Sequence, residues 1–300
     1  MDSEKPPTRR IQGAHARLVE AAVKSGRPAL ALVITLELAL IFVYLLGLAG
    51  VVDLAFLGRH WSIFGGPAVI AVGLTTVAFA TGFALAVPIG ALRAQGPPGF
   101  GARTTVRGAG RPGRGVRKAL VAGGYVGATG YVEGLRGTPF FVQMWIVFYV
   151  AIFTWPTFDY VYLLAGYLAL TLNTVAYQAE VFRAGFQSVA QGQIDAARSI
   201  GMRRIQVFAH VTLPQGLRLV TLPLVNEWIS LFKASAILSF IAIQELMFQA
   251  NHVGSNLGHP IEAFLTVAAV YLAITIPLSR LTSWLEAWNR IPGLGLASGR

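Results

Sequence analysis

The chain has 300 residues, 55% of them hydrophobic and only 12% charged, with a formal net charge of +11 and no cysteine. An ordinary soluble domain carries about 25% charged residues, so this chain lacks the groups to cover a water-facing surface and reads as an integral membrane protein. The missing cysteines exclude disulfides and thiolate sites. The positive balance fits either a nucleic-acid partner or, in a membrane protein, Lys and Arg retained on the cytoplasmic side.

A spanning helix needs about 20 mostly apolar residues, and six segments qualify. A basic tail over 1–28 leads into the first, 29–52, "ALALVITLELALIFVYLLGLAGVV", which contains Glu37. Its apolar run is too long for a cleaved signal peptide and lacks a small-residue cleavage site. The second is 67–92. The Arg-, Gly- and Pro-rich stretch 93–118 then reads as a cytoplasmic linker, with a lipid-headgroup contact as the alternative. The third span runs from about 137 to 155, with a helical approach from Ala119. Gly137, Thr138 and Pro139 sit where it meets the cytoplasm and form a hinge candidate. The fourth is about 160–181, the fifth about 217–243, interrupted by Glu227 and Lys233, and the sixth about 263–281. A tail, 291–300, follows.

The charges orient these spans. Lys5, Arg9, Arg10, Arg17, Lys24 and Arg27 precede the first, and Arg93, Arg103, Arg107, Arg111, Arg114, Arg117 and Lys118 follow the second. Arg183, Arg198, Arg203, Arg204 and Arg218 follow the fourth, and Arg280, Arg290 and Arg300 lie at the end. The alternate loops hold Arg59 with Asp53, Asp159, Glu245 and Glu262. Six spans with both termini in the cytoplasm place nearly all positive charge inside, and nucleic acid is no longer needed to explain the balance.

Between the fourth and fifth spans, residues 188–214 contain "IDAARSIGMRRIQVFAHVTLP". Ala197, Gly201 and Val207 fall where a DNA-reading helix-turn-helix wants a small residue, a turn glycine and a buried aliphatic. Such a unit needs a supporting core and a helix free to reach the major groove, whereas here the membrane is close on both sides. In the other reading, Ala196 and Ala197 let a second surface approach and Gly201 closes a helix in the left-handed conformation. A short helix over about 203–210 is then ended by Leu213–Pro214. An amphipathic hairpin lying on lipid is the remaining alternative.

The segment resembles the signature loop of ABC importer permeases: an acid with two alanines, three residues, Gly, nine residues, then Ile-x-Leu-Pro. It stands here as Asp195-Ala196-Ala197, Gly201 and Val211-Thr212-Leu213-Pro214. Stretches at 131–143 ("YVEGLRGTPFFVQ"), 168–189, 213–233 and 271–281 resemble the polar amino-acid branch, whose known members take up His, Glu, Gln, Arg and opines. The likeness covers about 67–290. It implies an all-α fold: a polytopic protein of the bacterial inner membrane with a five-helix core, one extra N-terminal span and cytoplasmic coupling helices. It also implies that Asp195, Ala196, Ala197, Gly201, Arg203, Leu213 and Pro214 meet a separate ATPase subunit. The implied partners are that ATPase, a second permease subunit, an extracytoplasmic substrate-binding protein and the lipid bilayer, without nucleic acid. The family's acid after Lys233 is absent, Ala234 standing in its place.

Charge inside a bilayer costs about 2.5–3.5 kcal/mol on insertion scales. Glu227 and Lys233 therefore need partners or water, and with Asn173 and Asn226 they are candidates for lining a substrate path. Contacts between helices are the alternative. Glu180 and Arg183 read as a structural i,i+3 pair. No G-x-x-x-x-G-K-[ST] phosphate cradle occurs, so ATP and Mg belong on the partner. The histidines show no metal-ligand spacing, and no nucleophile-and-base pair suggests a catalytic site. The rivals are a secondary transporter or channel, which needs paired inverted repeats, and a membrane-anchored DNA-binding regulator using 194–214.

Overall fold

A computed structural model describes residues 28–48, 50, 52–96 and 114–288. The basic tail, most of the Arg-rich linker and the C-terminal tail lie outside the described residues. Two compact units divide between Trp61 and Ser62. The first contains α1 (Pro28–Leu48) and α2 (Leu54–His60). Glu37 is exposed on α1. Asp53 caps α2 by accepting a hydrogen bond from the Phe56 N–H at 2.9 Å, satisfying one of the donors that a helix start leaves open.

The described residues of the second unit form helices joined by short turns. It comprises α3 (Gly65–Ala94), α4 (Arg114–Arg136), α5 (Phe140–Thr154), α6 (Val161–Gln187), α7 (Gln191–Ser199), α8 (Arg204–Val207), α9 (Leu213–Ala234), α10 (Leu246–Leu257) and α11 (Pro260–Trp288). Helix α4 starts at Arg114, inside the stretch expected to be linker. Among the described residues, three helical stretches are long and apolar enough to cross a membrane, those built on α3, on α8–α9 and on α11. Helices α4 and α5, bent by 112°, make a fourth when taken together. Helix α5 alone, at 15 residues, reaches only about 22 Å against a hydrocarbon core of about 30 Å.

Helix α6 is long enough but more polar, because it is the central helix and meets protein on most sides. It packs against α3, α4, α5 and α9. Two apolar cores are stacked along it. The first joins Val161, Ala165, Ala169 and Leu170 of its N-terminal half to Met144, Phe148 and Ala151 of α5 and to Leu231, Leu238 and Ile241. The second joins Ala179, Phe182 and Phe186 to Ala86, Val132, Val220 and Leu224. Between them lies a buried polar layer, Thr171, Asn173, Thr174 and Gln178.

Small residues set the distance between α3 and α6. Ala78, Gly82, Ala86 and Gly90 recur every four residues on α3 and are buried, which is the spacing that lets membrane helices approach closely. A Cβ on Gly82 would lie 2.6 Å from Thr174 Cγ2. One on Gly90 would lie 2.6 Å from Phe182 Cβ and 2.8 Å from the Ala179 carbonyl oxygen. Overpacking of this kind costs about 1–3 kcal/mol. Gly90→Ala is therefore expected to lower the thermal unfolding midpoint in detergent. Gly73→Ala, where nothing lies within 4 Å, leaves the midpoint unchanged or raises it.

Candidate functional site

The 188–214 loop begins directly at the end of α6. Its first helix, α7, closes in a Schellman motif: the Met202 N–H bonds to the Ala197 carbonyl at 3.2 Å and the Gly201 N–H to that of Arg198 at 3.0 Å. Gly201 sits at φ +86°, the left-handed conformation expected of it. The chain then reverses into α8, where Gln206 Oε1 accepts the Arg203 N–H at 2.8 Å. Ala197 and Val207 are 7% and 4% exposed. Ala197 is thus covered within its own chain. Ala196 is exposed, as are Asp195 and Arg203. Asp195 accepts from Gln191 Nε2 at 2.9 Å and lies 3.6 Å from Arg198. At the tip, Ile200 and Ile205 are 80% and 75% exposed.

Leu213–Pro214 does not end the second helix. Residues Phe208–Thr212 form a π-helix, and the Leu213 N–H reaches five residues back to the Phe208 carbonyl. The wider turn carries the backbone past a proline that has no N–H to donate, and α8 runs on into α9. A DNA-reading unit needs its second helix free; this one is the start of a membrane-length helix.

The polar layer of α6 is joined to its neighbours by side-chain hydrogen bonds. Asn173 Nδ2 donates to Gln143 Oε1 on α5 at 2.9 Å. Gln178 Nε2 donates to the Phe79 carbonyl at 3.2 Å and to Thr174 Oγ1 at 3.0 Å. Thr174 Oγ1 donates to Glu227 Oε1 on α9 at 3.4 Å. Gln143 is a lone amide in the apolar first turns of α5, and that isolation within a span was the sequence cue to it. Because Gln143 binds both the 137–139 turn and mid-helix Asn173, the break between α4 and α5 lies level with the middle of α6.

The four residues expected on a path do not converge on one point. Asn173 faces Gln143, and half-buried Glu227 faces Thr174. Asn226 and Lys233 are exposed and lie about two turns apart on one face of α9, with exposed Ser230 between them. Neither Glu227 nor Lys233 interrupts the helix.

At the C-terminal end of α6, the Glu180–Arg183 pair is part of a larger cluster. Arg93 of α3, only 6% exposed, donates to Glu180 Oε2 at 2.6 Å and to Glu133 Oε1 of α4 at 2.7 Å. Arg183 Nε donates to Glu180 Oε2 at 3.0 Å, and Arg136 lies 3.7 Å from Glu180. Three helices are tied at one carboxylate. In the sequence alone Arg93 stands among loop charges, because nothing in its neighbourhood announces Glu133 or Glu180.

Residues 125–291 match the family model described as binding-protein-dependent transport system inner membrane component. The chain belongs to this family. Among the relatives of this permease are a probable glutamine ABC transporter permease protein of Bacillus subtilis (strain 168), 39% identical over 53% of this chain and 72% of that one. Another is a nopaline transport system permease protein of Agrobacterium fabrum, 36% identical over 54% of this chain and 70% of that one. Among solved structures, an amino acid ABC transporter with histidines superposes with a TM-score of 0.64 at 27% identity, covering 79% of this chain and 99% of that one. The permease is thus a multi-pass inner-membrane subunit of an ABC transport system.

Removing one partner of a buried ion pair costs about 3 kcal/mol, because the other charge is left stranded. Glu180→Gln in the permease should therefore lower thermal stability far more than Glu133→Gln, since the Glu133 side chain is 61% exposed and keeps much of its hydration. Equal losses in a detergent melting assay would contradict this assignment.

Proposed function

We propose that this permease is the translocating subunit of an ATP-driven importer for polar amino acids. The exposed apolar tip of the 188–214 loop carries the reading. Ile200 and Ile205 stand out from a loop whose inner face, Ala197 and Val207, is already packed, so the tip is free to enter an apolar cleft on a partner. Asp195, Ala196, Arg203 and the Gly201 turn surround it, and the π-helix and Leu213–Pro214 join it to α9. The partner is the ATPase subunit, which holds ATP and Mg. A second permease copy or homologue completes the path, and an extracytoplasmic binding protein delivers substrate. Six spans put both termini in the cytoplasm.

The polar stripe Asn226, Ser230 and Lys233 supports a water-accessible path along α9. Lys233 facing lipid near the bilayer centre would cost about 2.5–3.5 kcal/mol, a cost that an aqueous path or a partner permease removes. Glu227 and Asn173 lie behind that stripe, and the path bends at Gly137, Thr138 and Pro139. The relatives named for glutamine and nopaline, and the solved transporter with histidines, support amino-acid cargo.

Membranes carrying the permease and its ATPase, solubilised in detergent, provide the test. Ile200→Ser with Ile205→Ser, and separately Gly201→Val, are expected to cut recovery of the ATPase about tenfold, as loss of a central interface contact does, with uptake falling in parallel. The isoleucine variant should keep the permease's own melting temperature. An undiminished complex that still takes up amino acid would sink the coupling role.

A further inference from the structure

Gln143 performs two tasks with one amide. Its Nε2 lies 2.6 Å from the Leu135 carbonyl, 3.0 Å from the Thr138 carbonyl and 2.8 Å from Thr138 Oγ1. Both carbonyls can only accept, so the amide nitrogen must face them, and Oε1 is left pointing at Asn173 Nδ2, 2.9 Å away. Leu135 is on α4, Thr138 is in the turn, Gln143 is on α5 and Asn173 is on α6. The turn is also closed by the Gly137 N–H on the Glu133 carbonyl at 2.8 Å and by Thr138 Oγ1 on the Gly134 carbonyl at 3.0 Å. Gln143 and Asn173 are both buried. The 112° break is therefore clamped from within and fastened to the central helix.

Helix α6 continues without proline from Asn173 to Gln187, about 21 Å at 1.5 Å per residue, and the 188–214 loop follows at once. A push on that loop reaches Asn173 along a stiff rod. We infer that Gln143 is the positioning residue through which movement of α6 carries the α4–α5 break as one body, and that Gly137–Pro139 is a rigid elbow in the transport cycle. The inference rests on the importer reading and adds the route by which the ATPase stroke reaches α5.

The native chain has no cysteine, so Val142→Cys with Leu172→Cys, both at exposed positions, gives one spin-label pair across the α5–α6 contact. The whole importer, reconstituted with its ATPase and binding protein, is measured nucleotide-free and with ATP trapped. The expected result is one label distance in both states, and two distances or a broadened one when Gln143→Leu is added. Asn173→Ala cuts the link to α6 but leaves the elbow closed, and should give the same change. In both variants amino acid taken up per ATP hydrolysed falls about tenfold, within the range of ordinary coupling between sites. An unchanged ratio and an unchanged distance in both variants would overturn the inference. So would loss of the assembled complex in both, because Gln143 would then serve folding alone. Failure of the unsubstituted importer to take up any amino acid with ATP would overturn the importer reading itself, a result distinct from the other two.

Discussion

A helix inside a bilayer gains nothing by leaving water, so α6 is held in place by contact distance and by hydrogen bonds. The close approach of α3 is the primary constraint. Gly82 and Gly90 bring its backbone against Thr174, Ala179 and Phe182, and only at that separation can Gln178 reach the Phe79 carbonyl. The apolar cores above and below the polar layer then position α5 and α9 on the remaining sides. Arg93 fixes the C-terminal end, meeting Glu180 directly and α4 through Glu133. Each attachment depends on α6 being straight and central.

The sequence made the membrane class and the family loop readable. Apolar run length and the side on which Arg and Lys collect are one-dimensional quantities, and so is the fixed spacing from Asp195 to Pro214. The turn at Gly201 was equally accessible, since a glycine after a short helix has one common use. Other features depend on what faces what. Ala197 is small, which suits approach by a partner as well as internal packing, and its burial shows only in the folded hairpin. Gly137 and Pro139 mark a break but do not say which part of α6 it meets; Gln143 and Asn173 set that. Pro214 promised a helix end, yet a residue pattern does not reveal that the backbone ahead of it widens into a π turn.

Polar residues within the spans divide into two kinds. Asn173, Gln178, Thr174, Gln143 and Arg93 are engaged by protein, and each joins one helix to another. Apart from the Arg93 ion pair, such bonds in a bilayer average only about 0.6 kcal/mol each, so their contribution is geometric: they fix register and rotation among helices whose apolar surfaces would tolerate sliding. Asn226, Ser230 and Lys233 are of the other kind, exposed on one face of α9. Similar residues in sequence thus join helices on α6 and stand exposed on α9.

The π turn at Phe208–Thr212 holds one residue more than an α turn of the same helix would need. Returning it to the α pattern would advance α8 by one residue relative to α9, a rise of about 1.5 Å and a rotation of about 100°. Ile205, and with it the hairpin that carries Ile200, would then face another direction relative to α9. The orientation of the loop's outer surface is therefore a matter of helical phase, selected by whether the Leu213 N–H reaches back five residues or four.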